Sequence, residues 1–261
     1  MALDDQIIDD LAEVVDEAAR NSEPIVMLTA EHPEMTLEDA YTIQRRSIAR
    51  RIERGESLVG MKMGLTSKAK MDQMGVHNPI YGHLTDSMML ADGASIEHAA
   101  YCHPRVEPEI AFVMADDISG EVGPREALAA VEGICPALEI IDSRYKDFEF
   151  TLIDVVADNA SSTGFVLGPT VAPPEWVELG NLGMVMSING EVKATGSSAA
   201  ILEHPARSLA ALITMLDERG EGLHKGQVVL AGGATKAIHV HPGDRIGLEV
   251  DSLKMVELKI S

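Results

Sequence analysis

Residues 184 to 196 read MVMSINGEVKATG, two short runs of strand-forming residues flanking Asn189-Gly190. Both central positions tolerate the positive φ that a type I′ turn demands, so the dipeptide predicts a two-residue β-hairpin. The same texture extends to either side. From Leu58 onward, short apolar runs alternate with glycine and proline: LVGMKMGL, PEIAFVMA, ALEIID, TGFVLG, QVVLAGG and RIGLEV. Such a series predicts a strand-rich region over 58–261. Before it the period is helical. Ile7, Ile8, Leu11, Val14 and Val15 follow helical spacing, and Thr36 with Asp39 forms a capping-box-like start to a helix expected over 36–54. Ala40, Ile43, Ile48 and Ile52 form its stripe and Gly55 its stop. Two more helices are expected, from Pro124 to about Val131 and from Pro205 to about Glu218, each opening on a proline whose missing N–H costs nothing there. The chain divides into a helical N-terminal region, 1–57, and a β-rich part, 58–261. That is an α+β arrangement, with no internal repeat.

Composition narrows the function. Lys plus Arg total 21 against 42 Asp plus Glu, a net charge of −21 that repels nucleic acid and anionic membranes. The acidic first residues are unlike a signal peptide, and no apolar run reaches membrane-spanning length. The two cysteines, Cys102 and Cys135, match neither a redox pair nor a four-cysteine zinc pattern, and read as reduced thiols in a cytoplasmic protein. Arg45, Arg46, Arg50, Arg51 and Arg54 make the 36–54 helix locally basic. A solvated helix face is the plain reading; an anionic substrate or an acidic neighbouring subunit is the alternative.

The chemistry concentrates in HPRVEPEIAFV, residues 103 to 113. On a strand Arg105, Glu107 and Glu109 project to one side, and Pro108 suggests an edge strand, a strand start or a bulge. A solvated face with Arg105 as counter-ion accounts for a lone pair of this kind. Glu139 adds weight, because it interrupts the apolar run Ala137, Leu138, Ile140, Ile141, where a carboxylate is expensive unless paired, protonated or bound to a cation. Three carboxylates suit a hard divalent ion, Mg²⁺ ahead of Mn²⁺ and Ca²⁺. A buried salt bridge from Glu139 to a basic residue remains the competing account. Lys62, between methionines, needs a counter-charge, although a snorkelling lysine at a strand edge would read the same way. The cluster ADNASSTG, residues 157 to 164, can offer hydroxyl and amide donors, Asn159 among them, to an anionic ligand, or can simply be a polar loop. His98, Cys102 and His103, and separately His239 and His241, lack the further ligands a zinc site requires. No GxGxxG, P-loop or GxSxG is present.

Taken together, KMGLTSKAKMDQMG, NPIYG, HPRVEPEIAFV, PALEIIDSRY and VVADNASS, in that order, resemble the hydratase and decarboxylase branch of the fumarylacetoacetate hydrolase superfamily. The resemblance runs from PEMTLEDAYTIQ to the last strand. It implies a mixed β-sandwich roll behind a helical N-terminal region, and a Mg²⁺ or Mn²⁺ ion held by Glu107, Glu109 and Glu139. It implies catalytic or supporting roles for Lys62, Arg144 and Ser161, with Ile80, Tyr81 and Asn159 beside the substrate. The substrate would be a small 2-oxo dicarboxylic acid: decarboxylation of 2-oxo-3-hexenedioate is expected first, and hydration of 2-hydroxypenta-2,4-dienoate is the alternative. Related hydratases carry an aspartate where this chain has Ile80, and an apolar residue there favours a carboxylate that leaves as CO₂. A homo-oligomer is implied too, with association to a partner hydratase. Two other classes stay open. A C–C hydrolase would need a carboxylate and histidine pair that no segment supplies, and a cation-dependent binding protein would show no turnover.

Overall fold

The computed structural model describes residues 3–67, 71, 78–169 and 171–261. Helix α1 (Asp5–Asn21) starts on the Asp4 side chain, a short α2 spans Leu28–Glu31, and α3 covers Leu37–Glu53. The expected cap on α3 is present: Asp39 N–H donates to Thr36 Oγ1 (3.2 Å) and Thr36 N–H to Asp39 Oδ2 (2.9 Å). The arginines of α3 are largely spent within the chain. Arg46 pairs with Asp5 and Asp9, Arg50 with Glu13 and Arg54 with Asp16, all on α1.

The strands follow, with the remaining helices between them. They are β1 (Leu58–Gly64), β2 (Ile80–Thr85), β3 (Met89–Leu90), β4 (Ser95–Ile96), β5 (Arg105–Met114) and, after α4 (Pro124–Ala129), β6 (Val131–Ile141). Next come α5 (Leu152–Ala157), β7 (Ser162–Leu167), β8 (Gly183–Ile188) and β9 (Glu191–Ser197). After α6 (Pro205–Asp217) lie β10 (Val228–Leu230), β11 (Ile238–His239), β12 (Arg245–Val250) and β13 (Val256–Ile260). Asn189 and Gly190 join β8 to β9 with φ of 54° and 79°, both left-handed as a type I′ turn requires. Helix α5 was not anticipated, although Thr151 and Asp154 make a second capping box at its start. Positions 68–70 and 72–77 of the motif after Lys62 lie outside the described residues. No helix is long and apolar enough to cross a membrane, among the residues described.

The strands form two sheets. The larger runs β2-β1-β10-β5-β6-β7-β3, with β11 also paired to β5, and the smaller runs β4-β13-β12-β8-β9. Alternation along β5 and β6 divides the interior in two. Val106, Ile110, Phe112, Ile134, Leu138 and Ile140 enter the main core with the smaller sheet and the N-terminal helices. On the opposite face, Ala111, Cys135, Ala137, Phe165, Val228 and Leu230 build a second, smaller apolar cluster. Glu107, Glu109 and Glu139 belong to this second face.

Pro108 is not on an edge strand. It sits in β5, between β6 and β10, and pairs with Leu138. The ladder on its other side breaks between β10 and β11, and there the Pro108 carbonyl accepts the Ala234 N–H (2.9 Å). The donor that proline lacks falls in that gap, so an interior strand tolerates it.

Candidate metal centre

Register brings the carboxylates together. Glu107 stands directly opposite Glu139 in the β5–β6 ladder, and Glu109 is one pleat further along, opposite Ala137. Glu107, Glu109 and Glu139 are 7%, 0% and 0% exposed, and one ligand atom from each lies within 4.8 Å of the others. Like charges facing across a ladder destabilise it, and burial makes the repulsion worse. Two contacts among the described residues offset part of the charge on Glu139 and Glu109. Lys62 Nζ, buried on β1, lies 3.0 Å from Glu139 Oε1, and Gly232 N–H donates to Glu109 Oε2 (2.7 Å). Glu109 Oε1 and Glu139 Oε2 have no hydrogen-bond partner among the described residues. Burial pushes the Glu109 carboxyl well above the usual range, and Glu139 and Glu107 push it further. Glu139 is also raised by burial, against the pull of Lys62.

These features fit a divalent cation. Among the described residues, three buried carboxylates beside the Lys62 ammonium leave an excess of negative charge, which a dication offsets. The orphaned oxygens are hard donors in a group whose ligand atoms lie within 4.8 Å of one another, the donor set that Mg²⁺ and Mn²⁺ accept. The two accounts of Glu139 left open by the sequence are compatible: it pairs with Lys62, and its Oε2 has no hydrogen-bond partner among the described residues.

The other expected residues divide. Lys62 is the register partner of Gly82, and Gly64 of Ile80, so Ile80 and Lys62 share one face of the β1–β2 pair. Ile80 Cγ1 would lie 3.0 Å from a Cβ at Gly64, and Lys62 Nζ 3.9 Å from it. Tyr81 points the other way. Its ring stacks on Tyr41 of α3 with centroids 4.7 Å apart, away from the carboxylates. Asn159 reaches β2 through its amide: His83 N–H donates to Asn159 Oδ1 (2.7 Å) and Asn159 Nδ2 donates to the His83 carbonyl (2.9 Å). Its side chain is thereby committed to backbone.

Asn159, Ala160 and Ser161 have φ of 50°, 51° and 58°, three successive left-handed residues without a glycine. Each costs roughly 1–2 kcal/mol, so the turn must be held from outside. Gly82 lets it approach β2, since a Cβ there would sit 2.4 Å from the Asn159 carbonyl oxygen. Arg144 holds the other side. Its backbone N–H donates to Asp158 Oδ2 (3.0 Å), Nε to Asp158 Oδ1, Nη2 to the Asp158 carbonyl (2.5 Å) and Nη1 to Thr163 Oγ1 (2.6 Å). Burial raises Asp158 to about 6 against the pull of that guanidinium. Ser161, at the end of the turn, is buried with its hydroxyl unpartnered. The sequence reading missed Gly82, Gly232 and Asp158. Gly232 was visible only as a glycine pair after VVL, and nothing local marked Asp158 as the partner of Arg144.

The cluster and its sheet define a family. The model of the fumarylacetoacetate (FAA) hydrolase C-terminal family matches residues 59–261, and the chain belongs to that family. Within it the similarity is specific. A 4-oxalocrotonate decarboxylase from Pseudomonas sp is 49% identical over 243 residues, 93% of this chain and 94% of the relative. The solved structure of 4-oxalocrotonate decarboxylase from Pseudomonas putida G7, complexed with magnesium and adipate, matches with a TM-score of 0.98 at 42% identity, covering 100% of this chain and 99% of that one. A 2-hydroxyhexa-2,4-dienoate hydratase from Comamonas testosteroni is 38% identical over 96% of both chains.

Proposed function

We infer that the chain is a metal-dependent carboxy-lyase that converts 2-oxo-3-hexenedioate (4-oxalocrotonate) to 2-hydroxypenta-2,4-dienoate and CO₂, a step of aromatic meta-cleavage catabolism. The observation that carries this reading is the set of three buried glutamates with orphaned oxygens, in a chain 49% identical to a 4-oxalocrotonate decarboxylase. Glu107, Glu109 and Glu139 would hold Mg²⁺ or Mn²⁺. When bound, the ion supplies Lewis acidity at the 2-oxo acid end of the substrate.

The chain's own residues do the rest. Lys62, 3.0 Å from Glu139, keeps a positive charge beside the 2-oxo acid end as negative charge grows there. The Ser161 hydroxyl is free to meet a substrate oxygen. Arg144 and Asn159 act through the left-handed turn, which they clamp to β7 and β2, and Tyr81 supports β2 from behind. Ile80 keeps the wall beside Lys62 apolar. A carboxylate leaving as neutral CO₂ gains nothing from polar groups there, and no acid at position 80 is present to activate water. Substrate conjugation carries the electron pair of the broken C–C bond toward the 2-oxo oxygen, and a proton completes the dienol.

Hydration of 2-hydroxypenta-2,4-dienoate is the second reading, favoured by the 38% identity to a hydratase over 96% of the chain. Purified protein with Mg²⁺ and each compound in turn, monitored for CO₂ and product, separates the two. CO₂ release from 2-oxo-3-hexenedioate is expected; hydration of the dienoate without CO₂ release would reverse the assignment. The reading also includes a cytoplasmic homo-oligomer that passes its unstable dienol to a hydratase partner. Light scattering at micromolar concentration tests the self-association, and a monomeric mass contradicts it.

A further inference from the structure

Three histidines left over from the sequence reading gather around one arginine. Arg105 lies on β5 two residues before Glu107, on the same face and about 7 Å along the strand. It pairs in register with His239 of β11, and register partners share a face. Its guanidinium lies 3.6 Å over the Phe148 ring, and His103 meets the same ring edge-on with centroids 6.0 Å apart. Asp147 and Phe148 both hold left-handed φ, 58° and 60°, to present that ring. Burial lowers the His239 pKa, and the nearby Arg105, His241 and His103 lower it further. One guanidinium and three imidazoles thus lie near one another.

Within the described residues the His103 ring bonds the Tyr145 carbonyl (2.9 Å) and Glu107 acts on Arg105 only at a distance. Arg105 makes no ion pair among the described residues, and its Nε is buried without a hydrogen-bond partner. By contrast Arg46, Arg50, Arg51, Arg54 and Arg144 all have carboxylate partners. In a chain of net charge −21, a guanidinium left without an ion pair among the described residues, with three imidazoles beside it, calls for an anion from outside. The collar's position indicates which one. It stands on the strand face that carries Glu107 and Glu109, one pleat before the carboxylates, and it is the more open side: Arg105 is half-buried and His239 exposed, whereas the glutamates are buried.

We propose that Arg105, with His103 on the same Phe148 ring and His239 and His241 beside it, forms a cationic collar at the entrance of the metal centre that captures dianionic 2-oxo acids. This rests on the carboxy-lyase reading and adds to it the means of recruiting a doubly negative substrate to an acidic protein. Steering by such a patch raises association by 10–10³-fold and is screened by salt. The collar is at the mouth, so the leaving carboxylate still reacts beside Ile80.

The test compares steady-state CO₂ release from 2-oxo-3-hexenedioate with Mg²⁺ at about 20 mM and about 500 mM ionic strength. Wild-type kcat/KM is expected to fall about tenfold between them. Arg105→Met should lose about tenfold in kcat/KM at low salt, approach wild type at high salt and keep kcat within about threefold. Arg105→Lys should recover most of the salt dependence. His239 is exposed, so His239→Glu supplies a variant that tests the charge even if Arg105→Met fails to fold; a low-salt loss relieved by salt is expected there too. An Arg105→Met or His239→Glu protein that keeps the full wild-type salt slope overturns the collar. So does an Arg105→Met loss carried equally by kcat, which would place the residue in the chemistry. Wild type that releases no CO₂ overturns the functional reading beneath it, whereas wild type that turns over without salt dependence overturns the collar alone.

Discussion

Two clusters of buried charge lie within a few residues of each other on β6 and its continuation, and they are built on opposite terms. At Arg144 every element is answered. The guanidinium bonds the Asp158 carboxylate, the Asp158 and Asp142 carbonyls and Thr163 Oγ1. At Glu139 the balance is left open: Lys62 pairs with Glu139 and the Gly232 N–H with Glu109, yet among the described residues an oxygen of each of these two glutamates goes unpartnered. Burial is comparable in the two places, so burial alone does not identify a site. A saturated ionic node is a clamp, because its cost is already met inside the chain. An unsaturated one is poised for something else, because orphaned charge in a dry interior persists only if a ligand completes it.

Removing the completing ion should have the largest effect. Exhaustive chelation is expected to abolish turnover, and Glu139→Gln to weaken Mg²⁺ binding by calorimetry beyond the 10–100-fold seen when a residue that merely orients a ligand is lost. The substituted chain should stay folded by circular dichroism. Full activity after chelation would end the distinction between the clusters.

The node should fail in the opposite way. Arg144→Met leaves Asp158 buried without its partner and is expected to cost about 3–5 kcal/mol in denaturant unfolding. Mg²⁺ affinity of whatever remains folded should change far less than in Glu139→Gln. A Met variant as stable as wild type would show that the node is not a clamp.

Adding charge to the open cluster tests its apolar wall. Ile80→Asp places a carboxylate beside the distal end of the substrate, where two unit charges 4 Å apart repel by about 4 kcal/mol at an effective dielectric of 20. Solvation of the new group reduces that, and CO₂ release is expected to slow by at least about tenfold. Decarboxylation at the parent rate in a folded variant would show that position 80 does not face the leaving carboxylate.

The smallest effect is a slope. Glu109 and Glu139 have folded-state pKa values above the ordinary carboxylate value, so they take up protons on folding. Stability of the metal-free chain should therefore rise from this source as pH falls from neutrality through the raised pKa, and level off near the ordinary value of 4.5. With excess Mg²⁺ the slope should reverse, because protons compete for the same oxygens. Glu109→Gln should flatten the metal-free slope and add about 1 kcal/mol at neutral pH by removing a like charge from the buried trio. Thermal melts of chelated protein between pH 5 and 7.5 measure both; identical slopes in the two chains would place the repulsion elsewhere.

Much of the fold was legible because its signals are local. The Asn189-Gly190 turn, the Thr36–Asp39 cap and the Pro205 helix start each depend on a few neighbouring residues, and each appears where expected. Glu107 and Glu109 were placed on one face by alternation alone, and Glu139 stood out as a charge in an apolar run. Local rules misjudged Pro108, since what tolerates it is a break in the ladder more than a hundred residues downstream, beyond β10. They also could not tell the free arginine from the paired ones. Arg46, Arg50 and Arg54 have partners because α1 packs against α3, whereas Arg105 has none among the described residues.

What the sequence by itself determined is therefore the inventory and its periodicity: strands after Leu58, helices before, three acids on strand faces and a lysine among methionines. Tertiary structure alone decided the pairings. It set Glu107 opposite Glu139, brought Gly232 to Glu109, turned Tyr81 toward α3 and bound Asn159 to the His83 backbone. The reason is physical. Propensity and alternation act over a turn or a pleat, but whether a buried charge is satisfied depends on which distant segment packs against it, and that is settled only when the whole core closes.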